Sequence, residues 1–351
     1  SFTLVSEAIR LDLLPHLEVK YPADTKGQLY IPAVNRVLMF GCIIIVLLFR
    51  SGSRMETAYG LAITVSMLTV TLLLAVYLWR ICSKKLLALV VLVVFGAIEA
   101  VFFVSSLSKF IHGGYVAVIM ALILFFIMLV WHRGTKLERQ YCVPLHFADF
   151  VKPLSELHDD PEIPRLTHNL VYLDNSRDFE SIDRDILYSI LDKDAKRASA
   201  YWFISATVHD EPSVMRYEVE TYGTDYIFRV RLHLGFKDHQ RVNVYLRQIV
   251  SDLIESGELP PQNRKHSIYG KSDVGNFKFC ILHKVVPPKA GLSSMDEMVL
   301  NVKYAIRHIS GSKAQWYGLD TSSLIVERVP LLVNQRGRSA RRIERMEREK
   351  A

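Results

Sequence analysis

Residues 86–106 of the chain read LLALVVLVVFGAIEAVFFVSS, and Glu99 carries the single charge among them. As an α-helix with a rise of 1.5 Å per residue, this segment is about 31 Å long, which matches the hydrocarbon core of a bilayer. The segment therefore predicts a membrane-spanning helix. A purely soluble protein is excluded.

Three further apolar segments surround this one, so we predict an α-helical transmembrane bundle of four spans over residues 34–131. The spans are expected at about 34–49, 57–79, 86–106 and 115–131. Pro32 precedes the first span at a typical helix start, and the fourth span ends at Trp131, an aromatic residue typical of the membrane interface. We interpret residues 1–33 as the end of a preceding helix and a cytoplasmic connector.

The composition of the chain changes after the fourth predicted span. Residues 1–131 hold 10 Lys and Arg against 6 Asp and Glu, whereas the remaining 220 residues hold 33 against 30. Helical and alternating patterns follow one another there, so we predict a cytoplasmic α/β domain over residues 132–335. Residues 336–351 form a basic tail. Because residues 133–328 carry 26 basic and 27 acidic side chains, nucleic-acid binding by this domain is not indicated.

Positive charges near the ends of the spans predict the orientation of the chain. Basic residues cluster between the second and third spans and after the fourth: Arg80, Lys84, Lys85, Arg133, Lys136 and Arg139. The opposite loops hold Arg50, Arg54 and Lys109. The bias places both clusters in the cytoplasm, together with the α/β domain.

One hairpin can be predicted inside the α/β domain. Residues 215–222 and 226–234 alternate between polar and apolar side chains and are separated by a turn that contains Gly223. This spacing predicts two antiparallel strands on which a row of Glu side chains faces a row of Arg side chains.

Glu99 is the first candidate functional residue. An ionisable group near the middle of a span is costly unless it faces a protein interior or an aqueous path. We interpret Glu99 as a site for a cation or a proton, since a carboxyl group there can exchange one for the other. The alternative is a buried carboxylic acid whose hydrogen bonds are satisfied by neighbouring helices.

Hydroxyl groups recur along the second predicted span. Thr57, Thr64 and Thr71 are spaced by seven residues, and so are Tyr59 and Ser66. Hydroxyl oxygens suit a weakly hydrated monovalent cation, although they also form ordinary hydrogen bonds between packed helices. Our candidate residues for a monovalent cation or a coupled proton are Tyr59, Thr64 and Glu99.

The sequence lacks the motifs of common enzymes. Residues 270–272 read GKS, but Lys265 stands where a P-loop requires its first glycine, and the 12 histidines include no HExxH motif. The four cysteines show no CxxC spacing. We therefore predict no enzymatic activity and no cofactor.

Two motifs of the membrane part resemble signatures of the Kup/HAK/KT potassium uptake transporters. Residues 27–32, GQLYIP, followed by Asn35, resemble the family signature G-Q-[IL]-Y-I-P-x-x-N, and residues 58–64, AYGLAIT, resemble its A-Y-G-[IL]-A-[IV]-T helix. Other residues that fit are Ala8, Ile9, Leu11, Leu14, Pro15, Glu99, Phe102, Phe103, Lys109, Gly113 and Gly114. Arg36 and Glu7 depart from the pattern, since the family usually has an aromatic residue and often a Gln there.

The resemblance implies a multi-pass protein of the cell membrane that imports K⁺ by secondary active transport, with H⁺ as the coupling ion. The fold would be an APC-like core of inverted repeats, of which residues 34–131 are the last four spans. The expected partners are K⁺, H⁺, the lipid bilayer and an N-terminal transmembrane half that precedes this chain, and a homodimer stays open.

Two other functions also stay open at this point. One is a membrane-anchored regulatory module whose α/β domain senses a cytoplasmic ligand. The other is a related amino-acid permease.

Overall fold

The computed structural model describes residues 1–23, 28–108, 110–141, 144–174, 178–238, 240–263, 272–286, 292–309, 314, 317–319 and 321–331. These residues form two compact units, Ser1–Leu14 with Ile31–Trp131, and Pro15–Tyr30 with His132–Ala351. The predicted basic tail at 336–351 lies outside the described residues, as do Gly27 of the first motif and Lys109.

Helices make up the first unit. In the described part of the chain they are α1 (Phe2–Arg10), α2 (Pro32–Phe49), α3 (Gly52–Arg80), α4 (Lys85–Ser108) and α5 (Gly114–Tyr141), with a 3₁₀ turn (Phe110–His112) before α5. The part of α5 after Trp131 belongs to the second unit. The helices α2, α4, α5 and the Met55–Arg80 part of α3 are long and apolar enough to cross a membrane. They fit a transmembrane bundle.

The helix α3 packs mainly on α4. Its buried side chains in the described structure are Ala58, Leu61, Thr64, Thr71 and Ala75, and all of them except Leu61 are small or carry a hydroxyl group. Small side chains let two helices approach closely in a membrane. In contrast, most large apolar side chains of α2, α4 and α5 are exposed. Apolar surface of this extent requires a bilayer or further helices to cover it.

The fifth helix extends beyond the segment that was predicted from hydropathy. The prediction ended at Trp131, whereas α5 continues to Tyr141 through polar residues. This extension belongs to the second unit, where Leu137 is buried together with Leu300 and Leu331, and Lys303 Nζ donates to Glu138 Oε2 at 2.6 Å. Packing within the second unit therefore maintains the helix where the apolar pattern has ended.

A mostly parallel sheet forms the centre of the second unit. Its strands are β2 (Thr167–Leu173), β4 (Ala198–His209), β5 (Met215–Glu220), β6 (Ile227–Gly235), β7 (Phe277–Val285) and β8 (Leu324–Pro330). Their order is β5-β6-β4-β2-β7-β8, and β5 is antiparallel to β6 while the other neighbours are parallel. Two short strands, β1 (Leu145–His146) and β3 (Ser181–Ile182), form a separate antiparallel pair.

Helices cover both faces of the sheet, so the unit is a mixed α/β domain. The helix α8 (Val242–Glu255) packs over Trp202 and Phe228 on one face. On the other face, Tyr172 and Phe203 meet α6 (Ala148–Asp159) and α7 (Arg184–Leu187), which continues as a π-helical turn (Tyr188–Lys193). The helix α9 (Ser294–Ile309) precedes β8 in the chain. Alternate residues of β2 and β4 thus belong to different cores, as expected of pleated strands.

The hairpin predicted from alternation is present as β5 and β6. Glu218 lies opposite Arg231, and Glu220 lies opposite Arg229. Only the first of these pairs forms an ion pair in the described structure, with 3.4 Å between Arg231 Nη1 and Glu218 Oε2. Arg229 binds Asp174 instead, because both of those side chains are buried while Glu220 is exposed.

A buried polar network joins the π-helical turn to β8. Ser189 Oγ donates to Glu327 Oε2 at 2.7 Å, and Lys196 Nζ lies 3.2 Å from Glu327 Oε1. Burial raises the pKa of Glu327, but the hydrogen bond from Ser189 and the charge of Lys196 outweigh it and hold that pKa below its ordinary value. The ionised carboxylate therefore stabilises the folded domain above the unfolded-state pKa, and this contribution is lost as the pH falls through the folded-state pKa.

We expect Glu327→Gln to lower the stability of the domain by about 2 kcal/mol at pH 7. The loss should be smaller at pH 4, where the wild-type carboxylate already contributes less. Differential scanning calorimetry of the detergent-solubilised chain at both pH values measures the two effects. Glu156→Gln is the control, since Glu156 is an exposed residue of α6. Equal losses at the two pH values would contradict the assignment.

Candidate functional site

Glu99 lies in the interior of the α3 and α4 pair. It is 6% exposed, and it stands 14 residues after the start of α4, about 21 Å along the helix. Thr71 Oγ1 of α3 donates a hydrogen bond to Glu99 Oε1 at 2.8 Å. The second oxygen, Oε2, is buried and has no hydrogen-bond partner among the described residues. With respect to the residues that the structure describes, the carboxyl group is therefore only half satisfied.

The sequence folds in this way because α3 and α4 are long helices joined by a short connection at Ile81–Lys84. They therefore run antiparallel and meet along most of their length. Thr71 belongs to the buried face of α3, and Glu99 is one of two buried residues of α4, the other being Ala88. The small residues of this interface leave room for a carboxyl group beside a hydroxyl group.

The other two predicted site residues lie elsewhere along α3. Thr64 is buried, but its Oγ1 donates to the Leu61 carbonyl oxygen of its own helix at 3.0 Å. Tyr59 is 66% exposed. Measured along α3, Thr64 is about 10 Å and Tyr59 about 18 Å from Thr71. Among the described residues, neither side chain forms a hydrogen bond with Glu99, so the structure does not bring the three predicted residues together.

Two further hydroxyl groups of α3 bind their own helix. Ser66 Oγ donates to the Ala62 carbonyl oxygen at 2.9 Å, and Thr69 Oγ1 donates to the Val65 carbonyl oxygen at 2.8 Å. Back-bonding of this kind is common for Ser and Thr in helices. Thr71 differs because its hydroxyl group reaches the carboxyl group of another helix. Sequence reasoning included Thr71 in the seven-residue repeat but did not select it as a site residue.

The arrangement suits a proton or a monovalent cation better than a transition metal. In the part of the chain that the structure describes, no group of three or more His, Cys, Asp or Glu side chains is placed to hold a metal ion. A single half-satisfied carboxyl group in an apolar helix pair can bind a proton or contribute one oxygen to a cation.

A buried ion pair occupies the carboxyl end of β2 in the α/β domain. Arg229 Nη2 lies 2.6 Å from Asp174 Oδ2, and the two side chains are 4% and 1% exposed. The same guanidinium group donates to the carbonyl oxygens of Phe179 and Ser181 at 2.6 and 2.8 Å. Arg229 of β6 thereby holds Asp174 and the backbone at Phe179 and Ser181. The hydrogen bonds of the pair are internal, so we assign it a structural role.

The thiol of Cys280 lies in the same domain and is 2% exposed. Burial raises the pKa of Cys280 to about 11, so the thiolate is scarcely populated at neutral pH. This side chain is therefore an inert part of the core.

The described residues include four apolar helices of membrane-spanning length, with a buried carboxyl group between two of them, and an α/β domain that follows. These features define an integral membrane protein. Residues 1–136 match the model of the K⁺ potassium transporter integral membrane domain, and residues 167–329 match that of the K⁺ potassium transporter C-terminal domain. The chain belongs to the Kup/HAK/KT family of potassium transporters. This confirms the resemblance that its two motifs indicated.

Similar proteins come from several bacteria. The chain is 44% identical over 333 residues to a probable potassium transport system protein Kup of Clostridium perfringens, an alignment that covers 95% of this chain and 50% of the relative. Identity to a probable Kup 1 protein of Bifidobacterium longum is 44% over 340 residues, covering 96% and 56% of the two proteins. The chain thus spans about half the length of the curated relatives it matches. No solved structure matches it significantly.

Proposed function

We propose that this chain is the C-terminal part of a secondary active transporter that imports K⁺ across the cell membrane, with H⁺ as the coupling ion. The observation that carries the proposal is the half-satisfied Glu99 carboxyl group inside the membrane unit of a Kup/HAK/KT family member. Relatives are named as probable potassium transport system proteins. The comparisons favour neither a ligand-sensing module nor an amino-acid permease.

In this proposal the proton binds to Glu99 of α4 beside Thr71, whereas K⁺ passes other positions along α3. Glu99 Oε2 holds the proton, since it is the buried oxygen without a partner in the described structure. Thr64 and Tyr59 line the K⁺ path about 10 and 18 Å further along α3. K⁺ is weakly hydrated and is suited to neutral hydroxyl and carbonyl oxygens of this kind.

The remaining ion ligands come, in this proposal, from an N-terminal transmembrane half. The support is that the alignments cover about half of each relative and that Tyr59 and many apolar side chains of α2, α4 and α5 are exposed. Two such halves would form the APC-like core of inverted repeats, in which substrate sites lie between the repeats.

The test is K⁺ uptake by the complete transporter in cells that lack their own K⁺ uptake systems. We expect growth at low external K⁺, uptake of Rb⁺ as a K⁺ substitute, competition by K⁺ but not by amino acids, and stimulation of uptake by external acid. Absence of Rb⁺ uptake from correctly inserted protein would contradict K⁺ transport. Uptake that is independent of both pH and a protonophore would contradict H⁺ coupling.

The α/β domain is placed in the cytoplasm in this proposal because basic residues cluster on that side of the spans. We expect Glu255→Cys, at an exposed position of α8 in a cysteine-free background, to react with an impermeant maleimide in inside-out vesicles but not in intact cells. Reaction of the same cysteine in sealed intact cells contradicts this orientation.

A further inference from the structure

We infer that Thr71 is a positioning residue that holds Oε1 of Glu99 by a hydrogen bond and leaves Oε2 as the oxygen that exchanges the proton. The inference deepens the proposed function, since it rests on Glu99 being the proton site. It assigns a role to a hydroxyl group that neither motif of the family resemblance includes.

The two oxygens of Glu99 differ in their surroundings. Oε1 accepts the hydrogen bond from Thr71 Oγ1 at 2.8 Å, whereas Oε2 is buried without a partner among the described residues. Thr71 is itself 8% exposed, so water does not compete freely for its hydroxyl group. The carboxyl group is consequently held by one oxygen and available through the other.

Other described groups near Glu99 offer it no charge. The described buried side chains of α3 are Ala58, Leu61, Thr64, Thr71 and Ala75, none of which is ionisable. The ionisable residues Glu56, Tyr59, Tyr77 and Arg80 of α3 are exposed, and Lys85 of α4 is about 21 Å from Glu99 along the helix. Phe110 and Ile111 of the 3₁₀ turn carry no charge, and His112 of the same turn follows Glu99 by 13 positions in the sequence. Thr71 is therefore the described group that acts most directly on the carboxyl group.

The direction of the effect follows from the donor. A hydroxyl group that donates to a carboxylate stabilises the ionised form more than the protonated form. Loss of this donor leaves a buried carboxylate with neither oxygen satisfied by the described residues, so the group should retain its proton up to a higher pH. Hydrogen bonds to charged groups are strong enough for a shift of about one pH unit.

The experiment compares Thr71→Val, which removes the hydroxyl group at nearly constant volume, with Thr71→Ser, which keeps it. The complete transporter is treated with dicyclohexylcarbodiimide, a probe that modifies protonated carboxyl groups in apolar surroundings. Labelling of Glu99 is measured by mass spectrometry as a function of pH, and the pH dependence of Rb⁺ uptake is measured in parallel. Thr69→Val is the matched control, because the Thr69 hydroxyl group binds only the carbonyl oxygen of Val65 in the described structure.

We expect Thr71→Val to move the midpoint of labelling and that of uptake upward by about one pH unit. Thr71→Ser and Thr69→Val should leave both midpoints where the wild type has them. Unchanged midpoints in Thr71→Val, or an equal shift in Thr69→Val, overturn the positioning role.

The two proposals fail in different ways. If Glu99→Gln stops H⁺-coupled uptake while Thr71→Val moves neither midpoint, the positioning role alone is wrong. If Thr71→Val shifts the labelling of Glu99 but neither variant changes uptake, Thr71 does set the proton affinity and the proposed transport role of Glu99 is wrong. If Glu99 remains unlabelled down to pH 5 in every variant, the inference is overturned because Glu99 then takes up no proton.

Discussion

Glu99→Gln is expected to lower the rate of Rb⁺ uptake by the complete transporter at least about tenfold, which corresponds to a barrier higher by about 1.4 kcal/mol. The amide keeps the volume of the side chain, and its oxygen can still accept the hydrogen bond from Thr71 Oγ1. The amide group cannot take up and release the proton that we assign to Oε2 of Glu99. The loss should therefore arise in coupling, while the folding and membrane insertion of the protein are retained.

Glu56→Gln provides the matched control for this experiment, since Glu56 is an exposed residue in the first turns of α3. It should transport at close to the wild-type rate. Initial rates of Rb⁺ uptake are compared at several external pH values after normalisation to the amount of inserted protein. Wild-type rates and an unchanged pH dependence in Glu99→Gln would remove Glu99 from the mechanism.

Arg229→Met is expected to destabilise the α/β domain by about 3 to 5 kcal/mol. The substitution leaves the carboxylate of Asp174 buried without its partner at 2.6 Å and removes donors from the carbonyl oxygens of Phe179 and Ser181. An unpaired buried charge is far more costly than an absent ion pair. The effect should be largest in β2 and β6, which the pair connects across β4.

Amide hydrogen exchange of the solubilised chain, followed by mass spectrometry, measures this effect strand by strand. For Arg229→Met, exchange in β2 and β6 should be at least about a hundredfold faster than in the wild type. Arg231→Met on the same strand is the control. Its partner Glu218 lies 3.4 Å from Arg231, and the Glu218 side chain is 53% exposed. The expected loss of domain stability is therefore about 1 kcal/mol. Equal losses in the two variants would contradict a special role for the buried pair.

The double variant Asp174→Asn with Arg229→Met tests whether the two side chains stabilise the domain as a pair. Because the double variant also removes the buried charge that Arg229 neutralises, it should be more stable than Arg229→Met alone. A double variant whose losses simply add would show that the two side chains act independently.

Several features were accessible from the sequence because they depend on neighbouring residues. The apolar length of 86–106 indicated a spanning helix, and α4 extends over Lys85–Ser108. Alternation in 215–222 and 226–234 was sufficient for the hairpin, since a turn of a few residues brings its strands together. Glu99 stood out because a charge in an apolar helix is costly wherever the helix lies.

Other features depended on residues that are distant in the chain. Asp174 and Arg229 are 55 positions apart, and only the order of the parallel strands makes them neighbours. The extension of α5 from Trp131 to Tyr141 follows from packing of Leu137 against Leu300, more than 160 residues later. Hydropathy contains no information on either contact.

The sequence by itself determined that the chain has four apolar helices, an acidic residue within one of them and an α/β domain after them, because hydrophobic length and periodicity are local properties. Only the tertiary structure decided which hydroxyl group meets Glu99. Thr64 and Thr71 lie on the same face of α3, so helical spacing cannot choose between them. The register of α3 against α4 selects Thr71, because packing of the small side chains between the two helices determines which of their residues lie opposite each other.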